Sequence, residues 1–303
     1  MDTRIKAGGL VLKNPVILAS GTAGYGIELA PILDLNRVGA IVVKGLYPYE
    51  RQGNPPPRLW ETPCGLLNSI GLQGVGMRRF AEEYLPHLSQ YDTHIIINAC
   101  GEEDEEYVQV VEYFSKLPSV SGFELNLSCP NVREGGKCPA MWPRWSYEIV
   151  KATREVTEKP LWAKLTPNTS SLVEVASACQ EAGADAVSLV NTYLAMAVDF
   201  RTRKSRLSTL FGGLSGPAIK PLALRAVYLV ASSVDVDVVG IGGISSGEDL
   251  LEFLLVGAKA VQIGSITLRE PAAAERILKE AVSLLEEEGY NNFNEIIGRF
   301  QGV

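Results

Sequence analysis

Eight short apolar runs recur along this chain, at residues 16–19, 40–43, 94–98, 122–125, 161–165, 186–190, 237–241 and 260–263, and amphipathic segments separate most of them. Each run is long enough for one strand and is apolar throughout, the pattern of strands buried on both faces of a parallel sheet. The segments 105–117, 147–157, 171–182, 219–232, 248–256 and 272–288 read as helices. Strands and helices in alternation make an α/β fold, and eight such units close into a (β/α)8 TIM barrel; an open doubly wound sheet is the alternative. At 303 residues and 46% hydrophobic content the chain can bury one large core. No linker or composition break interrupts it, so residues 1–303 are read as a single domain.

The residues at the carboxyl end of each run are the stronger signal. In order come Ser20-Gly21, Lys44-Gly45, Asn98, the stretch Asn126 to Asn131, Lys164, Asn191-Thr192, Gly242-Gly243 and Gly264-Ser265. In a barrel all eight carboxyl ends surround one mouth, so these residues are expected to converge on a single site. Turn chemistry accounts for any one of them but not for eight in step.

The stretch Asn126-Leu127-Ser128-Cys129-Pro130-Asn131 places a thiol among carboxamides and a hydroxyl at a strand end. Pro130 holds the residue before it extended, which keeps Cys129 on a turn rather than in a helix. A lone cysteine is ordinarily a small buried hydrophobe. These polar neighbours suit a small heterocycle bound by its edge better than they suit packing. Gly240 to Asp249 puts glycines on a strand-to-helix turn, with Ser246 and Asp249 spaced as a capping box, and Gly264-Ser265 ends the next run. Barrels commonly bind a phosphate in the loops after strands seven and eight, so a phosphorylated ligand is expected there. Lys44 and Lys164 leave buried strands and need water or a negative partner, and in a barrel mouth that partner is usually a ligand. Snorkelling to the rim is the structural alternative.

Composition narrows the partners. The net charge of −7 argues against a nucleic acid, the first residues lack a signal-peptide apolar region, and no apolar run approaches membrane-spanning length. The expectation is a cytoplasmic protein. Five cysteines without a CxxC spacing form no zinc or iron–sulfur ligand set, and both histidines, His87 and His94, read as structural. Three connections are long. Residues 46–80 contain the cluster Asn68-Ser69-Ile70-Gly71-Leu72, residues 132–145 suit a hinged lid or an ordinary loop, and residues 191–217 carry the basic run Arg201, Arg203, Lys204 and Arg206, whose default is a solvated surface.

The stretch Asn126 to Asn131, together with Val132-Arg133-Glu134-Gly135-Gly136, Asn68 to Leu72, Asn191-Thr192 and Gly212 to Pro217, resembles dihydroorotate dehydrogenase of class 1B, catalytic subunit, over essentially the full length. The cysteine is similar to class 1 usage, where class 2 has serine. The resemblance implies FMN across the mouth, contacted by Ser20, Lys44, Gly45, Asn98, Asn126, Lys164, Val190, Gly216, Gly242, Gly243, Gly264 and Ser265. It places dihydroorotate against Lys44, Asn68, Ser69, Ile70, Gly71, Leu72, Asn126, Asn131, Asn191 and Thr192. Cys129 is implied as the base that removes the C5 proton while hydride leaves C6 for the flavin, giving orotate in pyrimidine synthesis. The same resemblance implies a homodimer inside a heterotetramer, with a partner subunit that carries FAD and a 2Fe-2S cluster and reduces NAD.

The sequence departs from that pattern at Ala23 (usually aromatic), Gly74 (usually Asn), Ser265 (commonly Thr) and Pro139-Ala140 (often Phe-Gly), and Trp60 adds bulk beside the site loop. Alternative readings are a related flavin barrel acting on free pyrimidines or on dihydrouridine in tRNA, a class 1A-like enzyme using fumarate, and a non-catalytic flavin-binding barrel.

Overall fold

The structure, a computed structural model, describes residues 1–128 and 138–302. Eight parallel strands form a closed barrel: Val16–Leu18, Ala40–Val42, His94–Ala99, Gly122–Asn126, Leu161–Lys164, Ala186–Leu189, Asp237–Ile241 and Ala260–Ile263, referred to below as the first to eighth strands. They pair in chain order, and the eighth closes onto the first with Val261 opposite Val16 and Ile263 opposite Leu18. Every apolar run became a barrel strand within about two residues of its expected bounds. The reason is physical. Nearly every residue of these strands is buried, so only a continuous apolar run satisfies both faces.

The helices Asp104–Ser115, Pro143–Arg154, Leu172–Glu181, Lys220–Ala231, Gly247–Leu255 and Ala273–Glu287 coat the barrel, each turning its apolar stripe inward. Residues 77–88 form one more helical segment with a π-turn over Phe80–Tyr84, and only the 3-10 turn Leu35–Arg37 precedes the second strand. A hairpin, Ile5–Ala7 with Leu10–Leu12, covers the amino ends of the strands. Its turn glycine, Gly8, has φ +54°, and its carbonyl accepts a 2.7 Å hydrogen bond from Trp162 Nε1. A Cβ there would lie 2.1 Å from the indole nitrogen, so only glycine lets the hairpin seat. His94 is fixed at the same end, one ring nitrogen on Ser121 Oγ and the other on the Val11 carbonyl, both at 3.0 Å.

Two of the long connections are not plain loops. Leu59–Thr62 and Gly65–Asn68, from the connection after the second strand, join Tyr193–Ala195 and Gly212–Ser215, from the connection after the sixth, in a four-stranded antiparallel sheet. Arg206 is likewise not simply solvated. Its guanidinium lies 4.4 Å from the Trp60 ring centre and pairs with Asp199 at 2.8 Å, which also gives Trp60 its role; Arg201, Arg203 and Lys204 are exposed.

The capping box expected before Gly247–Leu255 is present: Ser246 Oγ accepts from the Asp249 amide at 3.1 Å and Asp249 Oδ2 accepts from the Ser246 amide at 3.0 Å. Ser246→Ala should therefore lower stability by about 1 kcal/mol, read from the urea midpoint with the slope unchanged.

Candidate functional site

The fourth strand carries the first half of the site. Glu124 and Asn126 lie two apart, so their side chains point to the same face, into the barrel, while Phe123 and Leu125 turn to the helices. Asn126 Nδ2 donates to Asn98 Oδ1 at 3.3 Å, and Asn126 Oδ1 accepts from Ser128 Oγ at 3.0 Å. Ser128 Oγ in turn accepts from Asn191 Nδ2 at 2.5 Å, and the Asn126 carbonyl accepts from the Tyr107 hydroxyl at 3.0 Å. Polar ends of the third, fourth and sixth strands are thus tied into one chain of amides. Cys129 and Asn131, the expected base and one substrate contact, lie outside the described residues.

Lys164, 5% exposed, ends the fifth strand. Its Nζ donates to Ser20 Oγ at 3.2 Å, across the barrel, and lies 3.6 Å from the fully buried carboxylate of Glu124. It does not snorkel to the rim. Lys44 is half-buried, and burial lowers its pKa, opposed by the charge of Glu28. No hydrogen bond or ion pair ties its amine to the described residues, so an anionic ligand would offset what burial costs it. Gly45, the next residue, lets Cys100 and Asn98 approach: a Cβ there would lie 2.7 Å from Cys100 Sγ and 3.1 Å from Asn98 Oδ1.

The glycines divide into two kinds. Gly242 and Gly243, with φ of +130° and +77°, turn the chain out of the seventh strand, and a Cβ would meet Ala223 Cβ at 2.8 Å from the first and the Gly216 carbonyl at 2.8 Å from the second. Protein packing alone demands glycine at both. Gly21 and Gly264 are different: a Cβ on Gly21 would meet nothing within 4 Å, and one on Gly264 only Ala19 Cβ at 3.7 Å. These two leave open room beside Ser20 and Ser265. Val190 is buried behind Gly242, its amide on the Ile241 carbonyl at 2.8 Å.

The four-stranded sheet contributes the other half. Asn68 Nδ2 donates to the Gly213 carbonyl at 3.1 Å, and a Cβ on Gly213 would lie 2.1 Å from Thr192 Oγ1 and 3.2 Å from Asn68 Nδ2. Asn68 and Thr192, distant in sequence, therefore meet over Gly213. Ser69 is a clamp within its loop, its Oγ sharing a 2.6 Å hydrogen bond with Thr209 Oγ1 and accepting from Asn54 Nδ2 at 3.0 Å. Ile70 accepts from the Asn54 amide, and Gly71 and Leu72 take left-handed backbone at φ +72° and +54° to complete the turn.

Two departures now have surroundings. A Cβ on Gly74 would sit 3.2 Å from the Gly45 carbonyl and 3.3 Å from the hydroxyl of buried Tyr25, which accepts from the Val75 amide, so little room remains for an asparagine. Pro139 and Ala140 are buried, with the Ala140 amide on the Leu127 carbonyl at 2.9 Å and the Pro139 carbonyl on Ser146 Oγ at 2.9 Å. Pro139 and Ala140 are thus anchored, and residues 132–137 of that connection lie outside the described residues. Glu124, Ser188, Gln262 and Tyr107 were not singled out from the sequence. A carboxylate at the centre of an apolar run, two before Asn126, was the signal available for the first.

A sequence model of the family described as dihydroorotate dehydrogenase matches residues 3–285. The chain belongs to the dihydroorotate dehydrogenase family. Its similarity to the relative from Geotalea uraniireducens is 50% identity over 98% of this chain and 97% of that one, and to the relative from Thermodesulfovibrio yellowstonii 48% over 98% of each; both are named dihydroorotate dehydrogenase B (NAD(+)), catalytic subunit. A relative from Solibacter usitatus, 46% identical over 96% of this chain and 95% of its own, carries a name of the A (fumarate) type. The fold is similar to that of the dihydroorotate dehydrogenase from Eimeria tenella solved with ferulenol: TM-score 0.80, 20% identity, 98% of this chain and 88% of that one covered. As a member of a dehydrogenase family, this chain is an oxidoreductase.

In this dehydrogenase the lowered pKa of Lys44 has a direct readout. The pH midpoint for labelling Lys44 with an amine reagent, followed by mass spectrometry, should fall below the ordinary value of 10.5. An anion held by that ammonium should accordingly weaken earlier with rising pH than one held by a surface lysine.

Proposed function

We infer that this chain oxidises (S)-dihydroorotate to orotate in de novo pyrimidine synthesis, as the FMN-dependent catalytic subunit of a class 1B enzyme whose electrons pass to NAD through a partner subunit. The observation that carries the reading is the near-full-length identity of about half to relatives bearing that name, on a chain whose Asn98, Asn126, Lys164 and Ser20 gather at the carboxyl ends of the barrel strands. Residues 1–303 act in this reading as one cytoplasmic FMN-binding domain. Among the described residues no helix is long and apolar enough to cross a membrane.

The residues present fit FMN. A phosphate-bearing planar anion needs cations, amide edges and open glycine positions, and the mouth offers Lys44, whose amine has no partner among the described residues, the Asn98–Asn126 pair, Lys164, and room at Gly21 and Gly264. Bound FMN would supply the two-electron acceptor. Lys44 and Lys164 would hold its negative charge, and Asn98 and Asn126 its polar ring edge. Asn68, Asn191 and Thr192 would orient the substrate, with Lys44 favouring its carboxylate. Ser128 holds Asn126 and Asn191 together, so it fixes two of the groups that must read one planar ring. Cys129, the residue after Ser128, would remove the C5 proton. A free thiol with an ordinary pKa of about 8.5 is mostly protonated at neutral pH, so activity should rise with pH.

FAD and the 2Fe-2S cluster belong, in this reading, to the partner subunit. A homodimer is supported by a row of exposed apolar side chains at alternating positions, Leu194, Met196, Val198 and Phe200, the last 89% exposed. The A-type name of one relative keeps fumarate as a second acceptor to be tested.

Anaerobic mixing of the purified FMN-loaded chain with dihydroorotate should bleach the flavin, and neither NAD nor fumarate should restore the colour without the partner subunit. Reoxidation by fumarate alone would indicate the A type, and no bleaching at all would defeat the reading. Cys129→Ala should keep its flavin while reduction slows by roughly a hundredfold or more, the loss expected for a general base. A variant as fast as the parent would remove that assignment.

A further inference from the structure

Glu124 is the group in the barrel that the reaction as described does not use. Its carboxylate is fully buried in the middle of the fourth strand. It accepts from Asn98 Nδ2 and Ser188 Oγ, both at 2.8 Å, and from Gln262 Nε2. The third, sixth and eighth strands each contribute one donor, and the fifth contributes the Lys164 ammonium at 3.6 Å. A barrel that needed only volume here would hold an apolar side chain, because enclosing an ion costs several kcal/mol that its partner does not always return. Gln262 makes the same point. It is 1% exposed and donates through Nε2 to Glu124, while its buried Oε1 meets no hydrogen-bond partner among the described residues.

We propose that Glu124 is a positioning residue acting through Lys164: its carboxylate, clamped by three neutral donors, sets how much of the ammonium's positive charge reaches a cofactor at the barrel mouth. Lys164 is held from two directions, by Ser20 Oγ at the carboxyl end of the first strand and by Glu124 in the interior. At such separations in a water-poor interior a charge is felt far more strongly than in solvent, so the carboxylate offsets the ammonium to a degree fixed by geometry. The inference rests on the FMN reading of the site and assigns a source for the tuning of that cofactor.

The test uses the FMN-loaded chain and sulfite as probe. Sulfite adds its lone pair to the flavin ring and leaves negative charge on it, so its affinity reports nearby positive charge. Glu124→Gln keeps the shape, and rotation of the Gln262 amide would present its unpartnered Oε1 to the new amide. The sulfite Kd should fall by roughly tenfold in Glu124→Gln and rise by roughly tenfold in Lys164→Met, a factor equivalent to about one pKa unit of interaction. On the Lys164→Met background, with FMN in excess, Glu124→Gln should move it by less than about threefold, because the residue it acts through is gone.

An unchanged or raised Kd in Glu124→Gln, with FMN content and thermal midpoint like the parent, overturns the proposal, as does an equal shift on both backgrounds. Should Glu124→Gln fail to fold, Ser188→Ala removes one donor and leaves the carboxylate to act on Lys164 more strongly. It should then weaken sulfite binding by about twofold to threefold, and no change overturns the proposal. A parent protein that takes up no FMN defeats the flavin reading and this inference together, an outcome distinct from FMN that binds and ignores Glu124.

Discussion

Closure of the sheet, where the strand Ala260–Ile263 pairs in parallel with Val16–Leu18, is the constraint on which the remaining architecture depends. Parallel pairing in chain order points every strand the same way, so closure gathers all eight carboxyl ends at one rim. Ser20, Asn98, Asn126 and Lys164 stand at the ends of four strands spread over 144 residues, yet two hydrogen bonds tie them into two pairs, and Glu124 joins the pairs by a hydrogen bond from Asn98 and an ion pair with Lys164. An open sheet of the same strands would leave the first and last far apart. Lys164 would then not reach Ser20.

The interior that closure creates is not uniformly apolar. Below the mouth, Glu124, Ser188, Gln262 and Asn98 form a polar layer with Lys164 at its edge. Deleting one ion of such a pair leaves the other uncompensated, typically a cost of about 3–5 kcal/mol, whereas replacing both by apolar groups is often neutral. Stability alone therefore gives no reason for the pair. What the pair does provide is a cationic group held at a fixed place at the end of the fifth strand.

The antiparallel sheet on the rim does a different job. Tyr193–Ala195, Gly212–Ser215, Gly65–Asn68 and Leu59–Thr62 bring two insertions together, and Gly213 leaves the space in which Asn68 and Thr192 meet. Asn68 thereby stands on paired backbone and Thr192 directly beside it rather than on free loops, which limits how far they can drift. The same insertion presents the apolar row ending in Phe200 outward, so the connection that helps shape the site also carries an exposed apolar surface.

The barrel strands were legible because each is buried on both faces and so must be apolar without interruption, and the capping box because it is local. The rim sheet was not. Its strands are three or four residues long and rich in glycine, and Gly213 is paired to Asn68 across 145 positions, so no window of sequence contains the reason for it. Ser69 stood beside Asn68 in one motif, yet the fold turns it onto Thr209 and Asn54. Gly242 and Gly243 read as phosphate-loop residues, and packing against Ala223 and Gly216 would require glycine there in any case. The residue types and their places at strand ends were thus determined by the sequence itself, because burial and turn chemistry act locally. Which of those residues face one another, and that Glu124 stands behind Lys164, was decided only in three dimensions, because a hydrogen bond between strands depends on register and closure rather than on neighbours in the chain.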